Sequence, residues 1–479
     1  MCCKYTDTLY QMDVGVKTSP GDLRVHDVDE LTVQKSGMFK RQNEEYETTF
    51  TAIGCYALNV VMATVPVFVQ KFKGMLLVPV LIQTLGLTGY GIWVQLFVIV
   101  RILGLLGSLG LHTAIVRFFP ECKTRSDQKQ LVSAVIAASV TASALIMIAT
   151  WLLADLIALK LLGTSSLADI IRLSTLLIPL HALYLVFITI FRAQNNIRLF
   201  SFVRAFYEVV DFIVIVLITL LVPSVSTILA GSIIVLTLFV MTLGSILIRA
   251  RLIGLVIVAG ELKRCLKYSV PILPSQFSDE IAARGDRMLV GFFMGPRAVG
   301  IYSALYALSN LTVFFNAPVV DVLFPKMSHL WAERRIPEGL RYLNLSVISM
   351  AGISTMVLLG LVLLREPIWY LVTATELEPP IAGLLPVLFV LIGAGTIFFA
   401  LSRVILLTVF VSKSTRWVPA VFGLSAIVNV IANLLLIPRY GLLGAAASTG
   451  IAYLGMLISA IWLSRNSVSS TLAESASQV

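Results

Sequence analysis

The sequence predicts an all-α integral membrane protein with twelve transmembrane helices in two pseudo-symmetric six-helix lobes. Three observations predict it. Hydrophobic residues make up 58% of the 479 residues and charged residues only 13%, against about a quarter charged in soluble domains. Apolar runs of about 20 residues, the length that crosses a bilayer, recur along nearly the whole chain. Motifs of the first half also return in the second half. No stretch is left over for a soluble domain. The net charge of +10 is explained by topology and calls for no nucleic acid.

The first 49 residues are polar, with six Lys/Arg against nine Asp/Glu and no helical or strand period. They lack the basic start, apolar centre and cleavage site of a signal peptide. Their composition predicts a disordered cytoplasmic tail. Without it, residues 50–479 carry a net charge of +13. The apolar runs then place helices at 54–86, 89–118, 129–160, 170–193, 198–222, 226–249, 270–294, 299–325, 339–363, 381–411, 416–437 and 441–464. Residues 50–250 form an N-terminal lobe, 251–269 a cytoplasmic linker and 270–464 a C-terminal lobe. Residues 465–479 form a second polar tail.

Basic residues orient these spans. One set of connections holds Arg117, Lys123, Arg125 and Lys129, then Arg192 and Arg198, then Arg249, Arg251, Lys263, Arg264 and Lys267. It continues with Lys326, Arg334, Arg335 and Arg341, then Lys413 and Arg416. The alternate set holds only Lys160, Arg172, Arg297, Arg365 and Arg439. Short loops rich in Lys and Arg stay in the cytoplasm, so both termini are expected inside. Cys2, Cys3, Cys122 and Cys265 fall on that reducing side, which argues against disulfides. Neither they nor the four scattered histidines have metal-ligand spacing. No metal and no cofactor are expected.

The chain repeats itself. "LGLTGYGIW", Leu85 to Trp93, follows the first span, and "MGPRAVGIY", Met294 to Tyr302, follows the seventh. Both read Gly, four residues, Gly, Ile, aromatic, and they lie 209 positions apart. "FFPE" closes the second span and "LFPK" the eighth. Two copies of a six-span unit have the same orientation, an arrangement used by transporters with the substrate site between the halves.

Charges inside the spans mark that site. Lys71, Lys73, Arg101, Arg284, Arg287 and Arg403 fall within spans, as do Glu208, Asp211, Glu280, Asp286 and Asp321. At about 2.5–3.5 kcal/mol each, their exposure to lipid would cost on the order of 30 kcal/mol, so most must face an interior or a water-filled cavity. Arg204, Glu208 and Asp211 share one face of the fifth span, and Glu280, Arg284 and Arg287 one face of the seventh. Arg204–Glu208 and Glu280–Arg284 can pair locally, and Asp286–Arg287 can anchor a span end. The seventh span opens on Pro271 and Pro274, so a kink or break is expected there. Lys71 and Lys73 are two positions apart and point to opposite faces of a regular helix. Arg101 has no carboxylate three or four positions away. Asn429 and Asn433 read as helix-packing residues.

Several segments together resemble the polysaccharide transport family, the O-antigen flippase-like branch of the multidrug/oligosaccharidyl-lipid/polysaccharide exporter (MOP) superfamily. They are "LGLTGYGIW" with "SLGLHTAIVR" (Ser108 to Arg117), "PILPSQFSD" (Pro271 to Asp279) with "DRMLVGFFMGPRAVGIY" (Asp286 to Tyr302), and "NVIANLLLIPRYGLLGAAAST" (Asn429 to Thr449). The resemblance covers roughly 50–464. It implies alternating access of two lobes around a central cavity in a bacterial cytoplasmic membrane. It implies a lipid-linked oligosaccharide as cargo, with membrane lipids around it and a polysaccharide polymerase and chain-length machinery as possible partners. Lys71, Lys73, Arg101, Arg284 and Arg287 would line the cationic cavity that holds the cargo's diphosphate. Glu208, Asp211, Glu280, Asp286 and Asp321 would be coupling or structural acids. Family members often carry an acidic residue where this chain has Ser108.

Two other functions remain open. A multidrug and toxin extrusion type antiporter of the same superfamily would favour unpaired carboxylates in the cavity, and Asp321 fits that pattern. A membrane glycan polymerase or ligase would need catalytic groups on a sizeable outward loop. The longest such connection, 364–380, contains Glu366 but no histidine. An enzyme is therefore not expected.

Overall fold

The computed structural model describes residues 27–254, 258–314, 316–374 and 379–477. The chain divides into two units, Met1–Ala63 and Thr64–Val479. In chain order the helices are α1 Asp27–Gly107, α2 Leu111–Phe118, α3 Arg125–Leu152, α4 Ala154–Ile157, α5 Ala168–Thr175 and α6 Leu177–Ala193. They continue with α7 Ile197–Leu221, α8 Val225–Arg249, α9 Ala259–Ser269, α10 Leu273–Ser309 and α11 Asn316–Ala332. The last are α12 Ile336–Leu363, α13 Arg365–Thr373, α14 Pro379–Ile405, α15 Leu407–Val411 and α16 Val418–Ser477. No strand occurs among the described residues.

In the first unit the backbone is helical from Asp27 on, within the segment whose composition suggested an unstructured tail; residues 1–26 lie outside the described residues. At the other end, α16 runs on through Ser477, past the end expected at 464. Neither extension has an apolar period from which it could be read.

Among the described residues of the second unit, eight helical stretches are long and apolar enough to cross a membrane. Three of them, Thr64–Gly107, Leu273–Ala332 and Thr415–Thr471, hold 44, 60 and 57 residues. A bilayer core needs only about 20 helical residues. Each long stretch contains one glycine with non-helical backbone: Gly86 (φ 71°), Gly295 (φ 79°) and Gly441 (φ 57°). Glycine adopts these left-handed angles without a Cβ penalty. The first two are the opening glycines of the repeated motif. α7 falls outside the eight because Arg204, Glu208 and Asp211 interrupt its apolar run.

The two copies of the motif pack against each other reciprocally. A Cβ on Gly91 would lie 1.8 Å from the carbonyl oxygen of Pro296, and one on Gly300 would lie 2.0 Å from that of Leu87. Leu87 and Pro296 are themselves 209 positions apart. Reciprocal contact of equivalent residues is the mark of a local two-fold axis. The largest apolar cluster surrounds this point and joins Leu81, Tyr90, Val299, Tyr302, Phe389 and Ala445.

Several spans are less regular than their apolar runs suggested. The second breaks at Ser108–Gly110, where Leu109 and Gly110 have φ of 51° and 66°. The third turns into α4 and a π-helical segment over Ala158–Leu162. In the eighth, α10 ends at Ser309 and a 3-10 turn follows over Asn310–Val313. The break expected before the seventh is present: α9 ends at Ser269 and α10 starts at Leu273.

Candidate functional site

The intramembrane charges fall into separate groups. The first joins α1 to α7. Glu208 and Asp211, three residues apart, share one face of α7. Lys73 reaches both, with Nζ 2.9 Å from Glu208 Oε2 and 2.5 Å from Asp211 Oδ2. It also lies 5.8 Å from the centre of the Tyr207 ring. The expected Arg204–Glu208 pair does not form. Arg204 instead donates to Gln70 Oε1 at 3.4 Å. A lysine from another helix satisfies two carboxylates at once, which a neighbour on the same helix cannot do as well. Two acids and one base leave one negative charge in surplus. Lys71, on the opposite face, is exposed and has no carboxylate partner among the described residues.

The second group joins α1 to α10. Arg101 Nη2 lies 3.5 Å from Glu280 Oε1, and Arg284 Nη1 pairs with Glu280 Oε2. The locally expected Glu280–Arg284 pair is therefore present. The partner that Arg101 lacks on its own helix comes from a residue 179 positions away. Two guanidinium groups on one carboxylate leave one positive charge in surplus. These side chains are 21–30% exposed, against 8–14% for the Lys73 group. The surplus cation is thus the more accessible of the two. Phe97 supports Arg101 at 5.8 Å, and His181 of α6 packs beside the same stretch of α1 at Gly104.

The third group is interior. Asp286 is 2% exposed. It accepts from Tyr302 Oη at 2.8 Å and from the Arg287 backbone N–H at 2.8 Å. Arg287 Nη1 lies 3.5 Å from Asp286 Oδ1, donates to the Ala283 carbonyl at 2.8 Å and stacks 4.4 Å from the Tyr306 ring. Tyr302 continues to Thr449 at 3.1 Å, and Tyr306 to Tyr453 at 3.3 Å. This network binds α10 to α16. In the sequence Tyr302 stands out only as the aromatic that closes the second motif copy, and nothing marks its hydroxyl, or Tyr306 and Tyr453, as part of a polar network.

The remaining candidates stand apart. Asp321 accepts from Thr64 Oγ1 at 3.0 Å. Arg403 stacks between Phe399 and Phe422, 5.9 and 5.7 Å from their ring centres. Asn433 is buried and donates to the backbone and side-chain oxygens of Asn429, one turn earlier on the same helix, at 2.8 and 3.0 Å. No group of His, Cys, Asp or Glu among the described residues could hold a metal ion.

Residues 80–375 match the model of a family described as polysaccharide biosynthesis protein. No curated protein matches the sequence. Solved structures share the fold. The lipid II flippase MurJ in an inward closed conformation is 16% identical, with a TM-score of 0.69 over 88% of this chain and 93% of that one. A multidrug resistance MATE family transporter of the MOP superfamily, inward-facing, is 15% identical, with a TM-score of 0.62 over 86% and 96%. A MOP superfamily transporter from Pyrococcus furiosus, described by a reverse polarity of its binding pocket, is 14% identical, with a TM-score of 0.57 over 87% and 96%. At such identities the likeness is one of fold. With the family model spanning more than half of its length, the chain belongs to the polysaccharide biosynthesis protein family, and it shares its fold with the flippase MurJ and the MATE transporters.

Proposed function

We propose that this protein is a flippase that moves a lipid-linked oligosaccharide, joined to its carrier by a diphosphate, across a bacterial cytoplasmic membrane. The observation that carries this is the pairing of Arg101 and Arg284 with the single carboxylate of Glu280. Its surplus positive charge, with Lys71 nearby in sequence on α1, suits an anionic cargo. A diphosphate presents several charged oxygens and can replace Glu280 as the partner of both guanidinium groups. At an effective dielectric near 20, a pair of unit charges about 4 Å apart gains about 4 kcal/mol, several times the value in water.

The reading takes the helices as twelve spans, counting each of the three stretches with a glycine break as two and adding α7. The two lobes would then rock about the Gly91–Gly300 contact, with both termini inside. A linked ion pair across α1 and α10 gives that motion a switch. Cargo that takes the arginines frees Glu280 and loosens the seam. No covalent bond changes in this scheme, so the protein acts as a transporter and supplies no catalysis. The test is export in cells: Arg101→Ala is expected to abolish glycan export while the protein stays in the membrane. Normal export by that variant would refute the assignment.

One observation favours a second function. Lys73 between Glu208 and Asp211 leaves a buried surplus of negative charge, as a cation-coupled multidrug antiporter would use. That function predicts resistance to organic cations that is lost in Asp211→Asn and kept in Arg101→Ala. The flippase predicts the reverse dependence on Arg101.

A further inference from the structure

His181 lies in the first turns of α6 and is half-buried. A Cβ on Gly104 would lie 3.2 Å from its Cδ2 and 3.5 Å from its Cβ, so the imidazole rests against bare backbone of α1. Gly104 is one helical turn beyond Arg101 and on the same face. The charges of Arg101 and Arg284 both act on the ring. Among the described residues His181 has no hydrogen-bond partner, and neither ring nitrogen is sealed off by protein. An ionisable side chain inside a span that serves no structural pair marks a substrate path. The other cations nearby are committed. Arg287 is held by Asp286, and Lys73 by Glu208 and Asp211. Arg101 and Arg284 meet the two oxygens of a single carboxylate, Glu280. That spacing fits one phosphate group, and a diphosphate has a second.

We propose that His181 donates to the second phosphate of the cargo and thereby sets a preference for a diphosphate over a monophosphate linkage. The inference rests on the flippase reading above and names a further residue of the same site. The first phosphate takes the place of Glu280 between the two guanidinium groups. The second turns toward α6, where the neutral imidazole offers one N–H. A bond from that N–H to an ionised phosphate oxygen is charge-assisted and stronger than a neutral one. A monophosphate fills the arginine pair and leaves the imidazole unused. Gly104 is part of the arrangement, because no side chain there holds the ring away from α1.

The test titrates farnesyl diphosphate and farnesyl monophosphate against the full chain in nanodiscs. His181→Leu should weaken binding of the diphosphate about ten-fold, the worth of one charge-assisted hydrogen bond, and leave binding of the monophosphate unchanged. His181→Gln keeps an N–H donor and should retain most of the preference. A second measurement needs no substitution and decides the matter if His181→Leu does not fold. Diethylpyrocarbonate should modify His181 of the unaltered protein, read by peptide mass spectrometry, and the diphosphate should protect it where the monophosphate does not. Equal weakening of the two probes by His181→Leu, an undiminished diphosphate preference in that variant, or a His181 that is unreactive from the start or stays reactive with the diphosphate bound, would overturn the inference and leave the flippase reading standing. An unaltered protein that binds neither probe would overturn both.

Discussion

Gly91 and Gly300 meet backbone to backbone: a Cβ on Gly300 would sit 3.4 Å from the Gly91 nitrogen, and a Cβ on Gly91 would sit 2.9 Å from the Gly300 nitrogen. Equivalent residues of the two motif copies are thereby in contact, and no side chain fits between them. Gly91→Ala and Gly300→Ala should each destabilise the protein by about 1–3 kcal/mol, as overpacking does, and should lower the melting temperature in detergent. Gly74→Ala is the control. Nothing lies within 4 Å of its Cβ position, and alanine is the better helix former by about 1 kcal/mol. A melting temperature unchanged by Gly300→Ala would show that the close approach does not exist.

Lys73 should matter for stability more than Lys71. Lys73→Met leaves Glu208 and Asp211 buried without their partner, a loss of about 3–5 kcal/mol for a broken buried pair. Adding Asp211→Asn should recover part of it, because one of the stranded charges is removed. Lys71→Met breaks no ion pair among the described residues and should leave the melting temperature nearly unchanged. Equal destabilisation by the two lysine variants would contradict the pairing.

The Asp286 network should behave as structure. Tyr302→Phe removes one bond to a buried carboxylate and should cost about 1–3 kcal/mol. Asp286→Asn should cost more, since it strands the charge of Arg287. Thermal unfolding of the two variants checks the order. A reversal, with Tyr302→Phe the more damaging, would mean that the hydroxyl serves a purpose other than holding Asp286.

Orientation can be read by thiol labelling. Arg125 opens α3 and its Nη1 donates to the Ala250 carbonyl at 3.2 Å. Both residues belong to the basic set of connections. A cysteine at position 125, in a background without other accessible thiols, should react with a membrane-impermeant reagent only after the inner face is exposed. Labelling of intact cells would invert the topology.

Local features of the fold were legible in the sequence because they depend on nearby residues. The spacing Gly86–Gly91 and its echo Gly295–Gly300 located two of the three breaks in the long helices, since only glycine adopts those backbone angles freely. Pro271 and Pro274 located the gap between α9 and α10. Glu280 and Arg284, one helical turn apart, were readable as a pair for the same reason. The long-range choices were not legible. Helical spacing offered Arg204 to Glu208, yet Lys73 occupies that place from 135 positions away. Helix spacing is blind to a neighbouring helix that supplies a better partner. Tyr302 and Tyr453 belong to apolar stretches, and only packing reveals that their hydroxyls complete a polar network. The break at Leu109–Gly110 lies inside the single span expected at 89–118.

The seam between Arg101, Arg284 and Glu280 carries the functional proposal, and one substitution separates its outcomes. Glu280→Gln removes the carboxylate that competes with the cargo's diphosphate and leaves both arginines in place. Affinity for a lipid-linked diphosphate, measured with the protein in nanodiscs, should rise in Glu280→Gln by about ten-fold, as expected if one charge-assisted pair no longer has to be broken. It should fall below detection in Arg101→Ala/Arg284→Ala. Weaker binding by Glu280→Gln than by the unaltered protein, or binding indifferent to both arginines, would contradict the account.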